Sequence, residues 1–269
     1  MARSRAAAAV LCILGLGACG GGGGGGSASV PSVVKLTNLA SSQKIDSLTL
    51  ATTTTVPGSA GAAATTVSGT AALQLRPTLA GDLHFTVAGR AISERIIGNA
   101  IYVELPQIAA HDGGRPWVSV DLGAASSAAG INLSELLAQA RNADPTSTLR
   151  LLAAKHVFHS IGTSTVDGQR VTGLTGSFTP STLTSSVLSP DLVAQVKAKL
   201  TQLGATREEV TTYLTDAGHP VRIVTTLTTT THGPITSTVD IRDINVPVSV
   251  APPPAGQTIT LAEVKKLGG

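Results

Sequence analysis

Apolar residues recur at every second position through much of this chain. Leu48 and Leu50, then Leu73 and Leu75 around Gln74, then Leu83, Phe85 and Val87 around His84 and Thr86, set a period of two in threonine-rich sequence. That pattern predicts strands with one wet face and one dry face. Val56 to Ala64, with Pro57, Gly58 and Gly61, reads as the loop between the first two strands, and Gly89-Arg90 and Gly98-Asn99 read as hairpin turns. Ile101, Val103 and Leu105 then face one way, with Tyr102 and Glu104 facing the other. After a polar loop containing His111-Asp112-Gly113-Gly114 and Pro116, the alternation resumes at Trp117 to Leu122, with Val118, Val120 and Leu122 on one side. Asp167-Gly168 is the strongest hairpin signal and joins Ile161–Val166 to Gln169–Phe178. Further strands are predicted at Val210 to Leu214, Val221 to Thr230 and Ile235 to Ile244.

Helical periodicity interrupts this pattern. Val33, Val34, Leu36, Leu39 and Ala40 suit one face of a helix between Val30 and Gln43. Asn132 with Glu135 forms a capping box, Ile131 can staple to Leu136, and Asp144-Pro145 opens a second stretch carrying Leu149, Leu151 and Leu152. Ser189-Pro190-Asp191 starts a helix whose Leu192, Val193, Val196, Leu200 and Leu203 form a stripe ending at Gly204. Pro252, Pro253 and Pro254 are expected to end the sheet, and Thr260 with Glu263 to cap a last short helix. Strands in hairpin order with helices inserted between them define an α+β fold. About ten or eleven strands are expected, in a large, curved, mostly antiparallel sheet covered by several helices.

The N-terminus changes the picture. Arg3 and Arg5 precede an apolar run, Ala6 to Gly17, that is too short to span a bilayer. Leu16-Gly17-Ala18-Cys19 resembles a bacterial lipobox, in which the cysteine is acylated and becomes the mature N-terminus. An ordinary secretory signal with a chance cysteine, or a buried helix, is the alternative. The glycine run Gly20 to Gly26 speaks against the helix, because it behaves as a flexible tether. Cleavage before Cys19 leaves 251 residues, enough for one large domain or two. It also discards Cys12, so no intramolecular disulfide can form. Without Arg3 and Arg5 the charge is 17 basic against 16 acidic residues. With three Phe, two Tyr and one Trp and no basic cluster among them, nucleic-acid binding lacks its material.

Catalytic motifs are missing from the pattern. Ser59 in Gly58-Ser59-Ala60-Gly61 lacks the spacing of a nucleophile elbow, and no Lys follows the glycine run as in a phosphate-binding loop. His156 and His159 have no second metal-ligand pair to match them. His111-Asp112 could be a base with its orienting carboxylate, but a solvated turn explains it as well. Asp240, Arg242 and Asp243 suit a wet strand face with local ion pairs. No enzyme activity, cofactor or metal is expected.

Several segments together resemble a known family. Ile101-Tyr102-Val103-Glu104-Leu105-Pro106 followed by Pro116-Trp117-Val118-Ser119-Val120-Asp121-Leu122 is similar to stretches of the actinobacterial lipoproteins of the LppX/LprG type, whose general fold is similar to that of the carrier LolA. Ile161-Gly162-Thr163 to Val166-Asp167-Gly168 resembles that family's strand and hairpin, and Val246-Pro247-Val248 its closing segment. Tyr213-Leu214-Thr215-Asp216-Ala217-Gly218-His219-Pro220-Val221-Arg222 resembles another hairpin, with Tyr213-Leu214 in place of the usual Trp.

The resemblance implies a half-barrel of antiparallel strands, closed by helices, that holds acyl chains in an apolar cavity. It divides the chain into a signal peptide (1–18), a lipidated Cys19 with glycine-rich tether (19–29), a lipid-binding domain (30–254) and a C-terminal tail with a short helix (255–269). Candidate cavity residues are Leu73, Leu75, Leu83, Phe85, Val87, Ile101 and Val103 from strands, with Leu136, Leu137 and Leu152 from helices. The same side chains could instead be plain core. The implied partners are a lipid or lipoglycan, and the membrane through the N-terminal lipid, at the extracytoplasmic face of the cell membrane. The alternative is a non-enzymatic envelope adaptor on the same fold with a filled core, binding a protein or a cell-wall polymer.

Overall fold

The computed structural model describes residues 44–58, 63–87, 89–110, 112–121, 159–182, 190–230 and 232–267. Its strands are β1 (Ser47–Val56), β2 (Thr65–Gln74), β3 (Ala80–Val87), β4 (Arg90–Ile97), β5 (Ala100–Glu104), β6 (Trp117–Asp121), β7 (His159–Val166), β8 (Gln169–Phe178), β9 (Ala205–Leu214), β10 (Pro220–Thr229), β11 (Gly233–Arg242) and β12 (Thr258–Thr260). The described helices are α1 (Pro106–Ala109), α2 (Pro190–Gln202) and α3 (Leu261–Leu267). The strands hydrogen-bond in the order β12-β6-β5-β4-β3-β2-β1-β11-β10-β9-β8-β7, so a 12-stranded sheet runs through the fold. Consecutive strands β2 to β6 and β7 to β11 pair antiparallel where they adjoin, and β12 pairs parallel to β6. This is the α+β class with a large, mostly antiparallel sheet. The leader, Cys19, the tether, the helix expected before Gln43, and the two helices expected around Asn132 and Asp144-Pro145 lie outside the described residues.

Local chemistry explains the elements. Asp167 and Gly168 both take positive φ, 47° and 79°, as a two-residue turn requires if its twist is to match the strands it joins. Helix α2 starts at the anticipated Pro190, and Gly204 takes φ 67° just beyond its end. Thr260 and Glu263 form the capping box of α3: the Thr260 N–H donates to Glu263 Oε2 at 2.7 Å, and the Glu263 N–H donates to Thr260 Oγ1 at 3.3 Å.

Four details differ from expectation. The proline run does not end the sheet, because β12 follows it and adds a strand. Strand β9 begins at Ala205, not Val210, since Ala205 and Arg207 to Glu209 keep pairing with β10 despite the charge of the latter three, the register shifting at Thr206. Strand β11 stops at Arg242 because Asp243 and Asn245 turn to positive φ, 46° and 61°. Pro106 at the first helical position opens the short α1 where only loop was expected.

The chain divides into two compact units, Met1–Gln43 with Thr52–Thr66 and Thr146–Asp240, and Lys44–Ala51 with Val67–Pro145 and Ile241–Gly269. The second unit buries Ile45, Leu48, Val67, Ala71, Leu79, Phe85, Ile101, Trp117, Val118 and Ile259. The first buries Val166, Val171, Leu174, Val193, Val210, Leu214, Val221 and Leu227 together with several hydroxyls. In it Tyr213, at the position where the family resemblance departs, packs against Val166, Val171 and Val221.

Candidate functional site

Residues opposite one another in an antiparallel pair project from the same face, and their neighbours project from the other. Register therefore fixes which side chains share a surface. In the second unit, Val67, Gly69, Ala71 and Leu73 stand opposite Val87, Phe85, Leu83 and Gly81. Those in turn stand opposite Arg90, Ile92, Glu94 and Ile96. Across β5, Glu94 and Ile96 meet Val103 and Ile101, which meet Val118 and Val120 of β6. Val118 adjoins Ile259 of β12. One continuous, dominantly aliphatic face results, and it is dry at Val67, Ala71, Phe85, Ile101, Val118 and Ile259.

The ladders bring six of the candidate residues together on this face: Leu73, Leu83, Phe85, Val87, Ile101 and Val103. Leu75 lies just past the end of β2, where its N–H donates to the Asp46 carbonyl at 2.7 Å. Leu136, Leu137 and Leu152 lie outside the described residues. Phe85, 4% exposed, lays its ring over the bare backbone of Gly69, where a methyl group would come within 2.4 Å of it. Glycine opposite an aromatic residue lets the ring cover the sheet without a rival side chain.

The opposite face of these strands is ionic. Arg95 reaches Asp82 at 3.4 Å, lies 5.1 Å over the Trp117 ring and donates to the Ala251 carbonyl at 3.1 Å. His84 stands 3.6 Å from Asp82. Asp112, from the loop considered for base chemistry, is held by Arg115, whose Nη2 donates to Asp112 Oδ1 at 2.8 Å. Arg115 also lies 3.7 Å from Glu263. Asp112 is thus one half of an ion pair. Asp240 pairs with Arg222 across β10 and β11, the local ion pair anticipated for that wet face. Among the described residues no group of His, Cys, Asp and Glu could hold a metal ion, and His159 is exposed on β7. Among them, too, no helix is long and apolar enough to cross a membrane.

Two carboxyls escaped the sequence reading. Glu94 sits on the aliphatic face between Leu83 and Val103, and burial pushes its carboxyl above the usual range. In the first unit, Glu208, Val210, Thr212 and Leu214 share the buried side of β9, and burial pushes Glu208 up to about 8. The signal was present in both cases. Ile92, Glu94 and Ile96 share parity, as do Glu208 and Val210, so each carboxyl falls on an apolar stripe.

No family model matches the chain, and no curated protein matches it. What the architecture defines is an α+β protein built on a large, mostly antiparallel open sheet. Among solved structures it is similar to the lipoprotein LppX from Mycobacterium tuberculosis, at 17% identity over 83% of this chain and 100% of that one, with a TM-score of 0.47. It is also similar to LprF from Mycobacterium bovis, at 15% identity over 83% and 98% of the two chains and a TM-score of 0.47. A LolA superfamily protein from Nitrosomonas europaea matches at 8% identity over 80% and 93%, with a TM-score of 0.29.

Proposed function

We propose that this protein is a membrane-tethered envelope lipoprotein that binds the acyl chains of a lipid or lipoglycan on the dry face of its sheet, and that it does so without catalysis. The observation that carries the proposal is the aliphatic face of the second unit. From β2 through β3, β4, β5 and β6 to β12, opposed positions supply Val, Ala, Leu, Phe and Ile, with Glu94 and Arg90 as the charged exceptions. Leu73, Leu83, Ile92, Ile96, Val103 and Val120 on it are only half-buried. They retain apolar surface that an alkyl chain can cover, at about 0.8 kcal/mol for each methylene removed from water. The lipobox around Cys19 supports the tether, because a thioether-linked lipid would hold this face beside a bilayer, the source of its ligand.

Lipid extraction and native mass spectrometry of the protein purified from its own membrane test the binding directly. One diacyl species per chain is the expected result. Protein that carries none, yet cross-links to an envelope protein or a wall polymer, would replace lipid carriage with the adaptor function. Cys19→Ala should release a folded domain into the medium, and continued membrane retention of that variant would remove the lipid anchor from the proposal.

A further inference from the structure

From Ile241 onward the chain belongs to the second unit, and after β11 it passes over the ionic face of that unit to end as β12 against β6. The start of this segment is tied firmly to the residues around β1. The Asn245 N–H donates to the Ser47 carbonyl at 2.8 Å, the Asp46 N–H to Asn245 Oδ1 at 2.7 Å, and Thr49 Oγ1 to Asp243 Oδ2 at 2.7 Å. Beyond Val246 the hold is slighter. Arg95 donates to the Ala251 carbonyl and Pro253 is buried, but most residues from Val246 to Gln257 are exposed. Pro247, Pro252, Pro253 and Pro254 have no N–H with which to bind the sheet. Strand β12, at the far end, pairs with β6 through three residues, and Ser119 Oγ donates to the Ile259 carbonyl at 3.3 Å. A segment with few buried side chains and an exposed backbone belongs to the part of a fold that opens most readily.

What this segment carries at its end is part of the aliphatic face. Ile259 completes the row Leu83, Glu94, Val103 and Val118, and with Val118 it is closed to solvent, at 1% and 3% exposure. The tie at mid-length lies on the other side of the same strands. Arg95 is in register with Asp82 and Tyr102 and lies over the Trp117 ring. Undocking of β12 would therefore withdraw Ile259, free the edge of β6 and uncover Val118. It would break a ladder of three residue pairs and leave every ladder from β2 to β6 intact. A second tie follows β12: α3 packs against β6 and β12, and its Glu263 lies 3.7 Å from Arg115 in the loop before β6.

We infer that residues 243–260 form a gate strap: β12 leaves β6 to admit an acyl chain to the aliphatic face along its β6 edge, and Arg95 is the positioning residue that latches the strap shut from the opposite face. This inference rests on the lipid-binding function proposed above. The firm end at Asn245 is the hinge side and the three-residue β12 is the moving side. With the strap docked, the β6 end of the face offers a ligand no apolar surface, because Val118 and Ile259 already cover one another's row. With the strap undocked, that end opens to one side, so a hydrocarbon chain can slide in without parting the sheet. A gate of this kind sets the rates of uptake and release together and leaves the equilibrium between them alone.

The test uses the full-length protein and a pyrene-labelled diacylglycerol delivered from phosphatidylcholine vesicles. Ser119→Cys with Thr260→Cys puts two thiols at positions that pair in the β6–β12 register, so oxidation ties β12 to β6. The oxidised protein should take up the probe far more slowly than the same protein reduced, and dithiothreitol should restore the rate. Comparing one protein in two redox states cancels any cost of the substitutions themselves. Arg95→Ala should speed uptake and release alike by about tenfold, the worth of one hydrogen bond from a charged donor, with equilibrium binding unchanged. A merely structural role for Arg95 would weaken binding instead. Equal uptake by oxidised and reduced protein would overturn the gate. Arg95→Ala rates that match wild type, or binding that falls with them, would overturn the latch. Wild-type and reduced proteins that take up no probe at all would overturn the lipid-binding function, and the gate with it.

Discussion

Replacing Glu208 by Gln should change the pH dependence of stability in a way its burial dictates. In the unfolded chain this carboxyl titrates near the ordinary 4.5, whereas in the fold burial raises it to about 8. Below pH 4.5 both states hold the proton and the group is neutral in effect. Between those two values the unfolded chain has released its proton while the fold still keeps it, so stability falls as pH rises, by about 1.4 kcal/mol per unit. Above pH 8 the loss levels off, at roughly 5 kcal/mol in all. Wild type should therefore lose about 3 kcal/mol to this one group between pH 4 and pH 7, a large part of the margin of an ordinary domain. Gln at 208 has nothing to titrate. Denaturant unfolding of both proteins from pH 4 to pH 9 isolates the effect, because every other titrating group, Glu94 included, is common to the pair. The Gln variant should match wild type near pH 4 and exceed it increasingly up to about pH 8. A gap that stays constant over this range would show that the carboxyl is hydrated in the fold, and the desolvation argument would fail.

Three further outcomes follow from other parts of the structure. Gly69→Ala places a methyl 2.4 Å from the Phe85 ring and 2.6 Å from the His84 carbonyl oxygen. It should cost about 1–3 kcal/mol in denaturant unfolding, and a neutral result would mean that the ring can move away freely. Thr260→Ala removes the side-chain half of the α3 capping box and should cost about 1 kcal/mol, with faster amide exchange in Leu261–Leu267; unchanged exchange would show that the cap does not hold that helix. Arg95→Ala removes the Asp82 pair, the Trp117 contact and the Ala251 hydrogen bond at once. Proteolysis should then cut faster around Ala251, and an unchanged cleavage pattern would show that this arginine does not fasten that segment.

The strands were legible because their physics is local. A period of two needs only neighbouring side chains to report it, and Asp167-Gly168 and the Thr260–Glu263 box carry their geometry in two and four residues. Less legible were the elements that depend on distant partners. Strand β12 is three residues long and follows three prolines; only its pairing with Trp117, Val118 and Ser119 makes it a strand. The start of β9 was hidden for another reason. Arg207, Glu208 and Glu209 are charged and carry no apolar alternation, and what holds them extended is the ladder to β10.

The same effect concealed the two buried carboxyls. Hydropathy scores a glutamate as a break in an apolar stripe, so a reading that looks for dry faces discards the positions where a dry face carries chemistry. Parity restores them, because a residue two places from Val210 must share its face whatever its charge. Of Glu94 and Glu208, the second lies deeper, 7% exposed, and directly between apolar neighbours on both flanking strands. Burial of this kind is unfavourable for folding and is retained only where something else is gained. For Glu208 the consequence is a stability that falls as pH rises from the ordinary carboxyl value towards about 8, which is what the exchange to Gln reads directly.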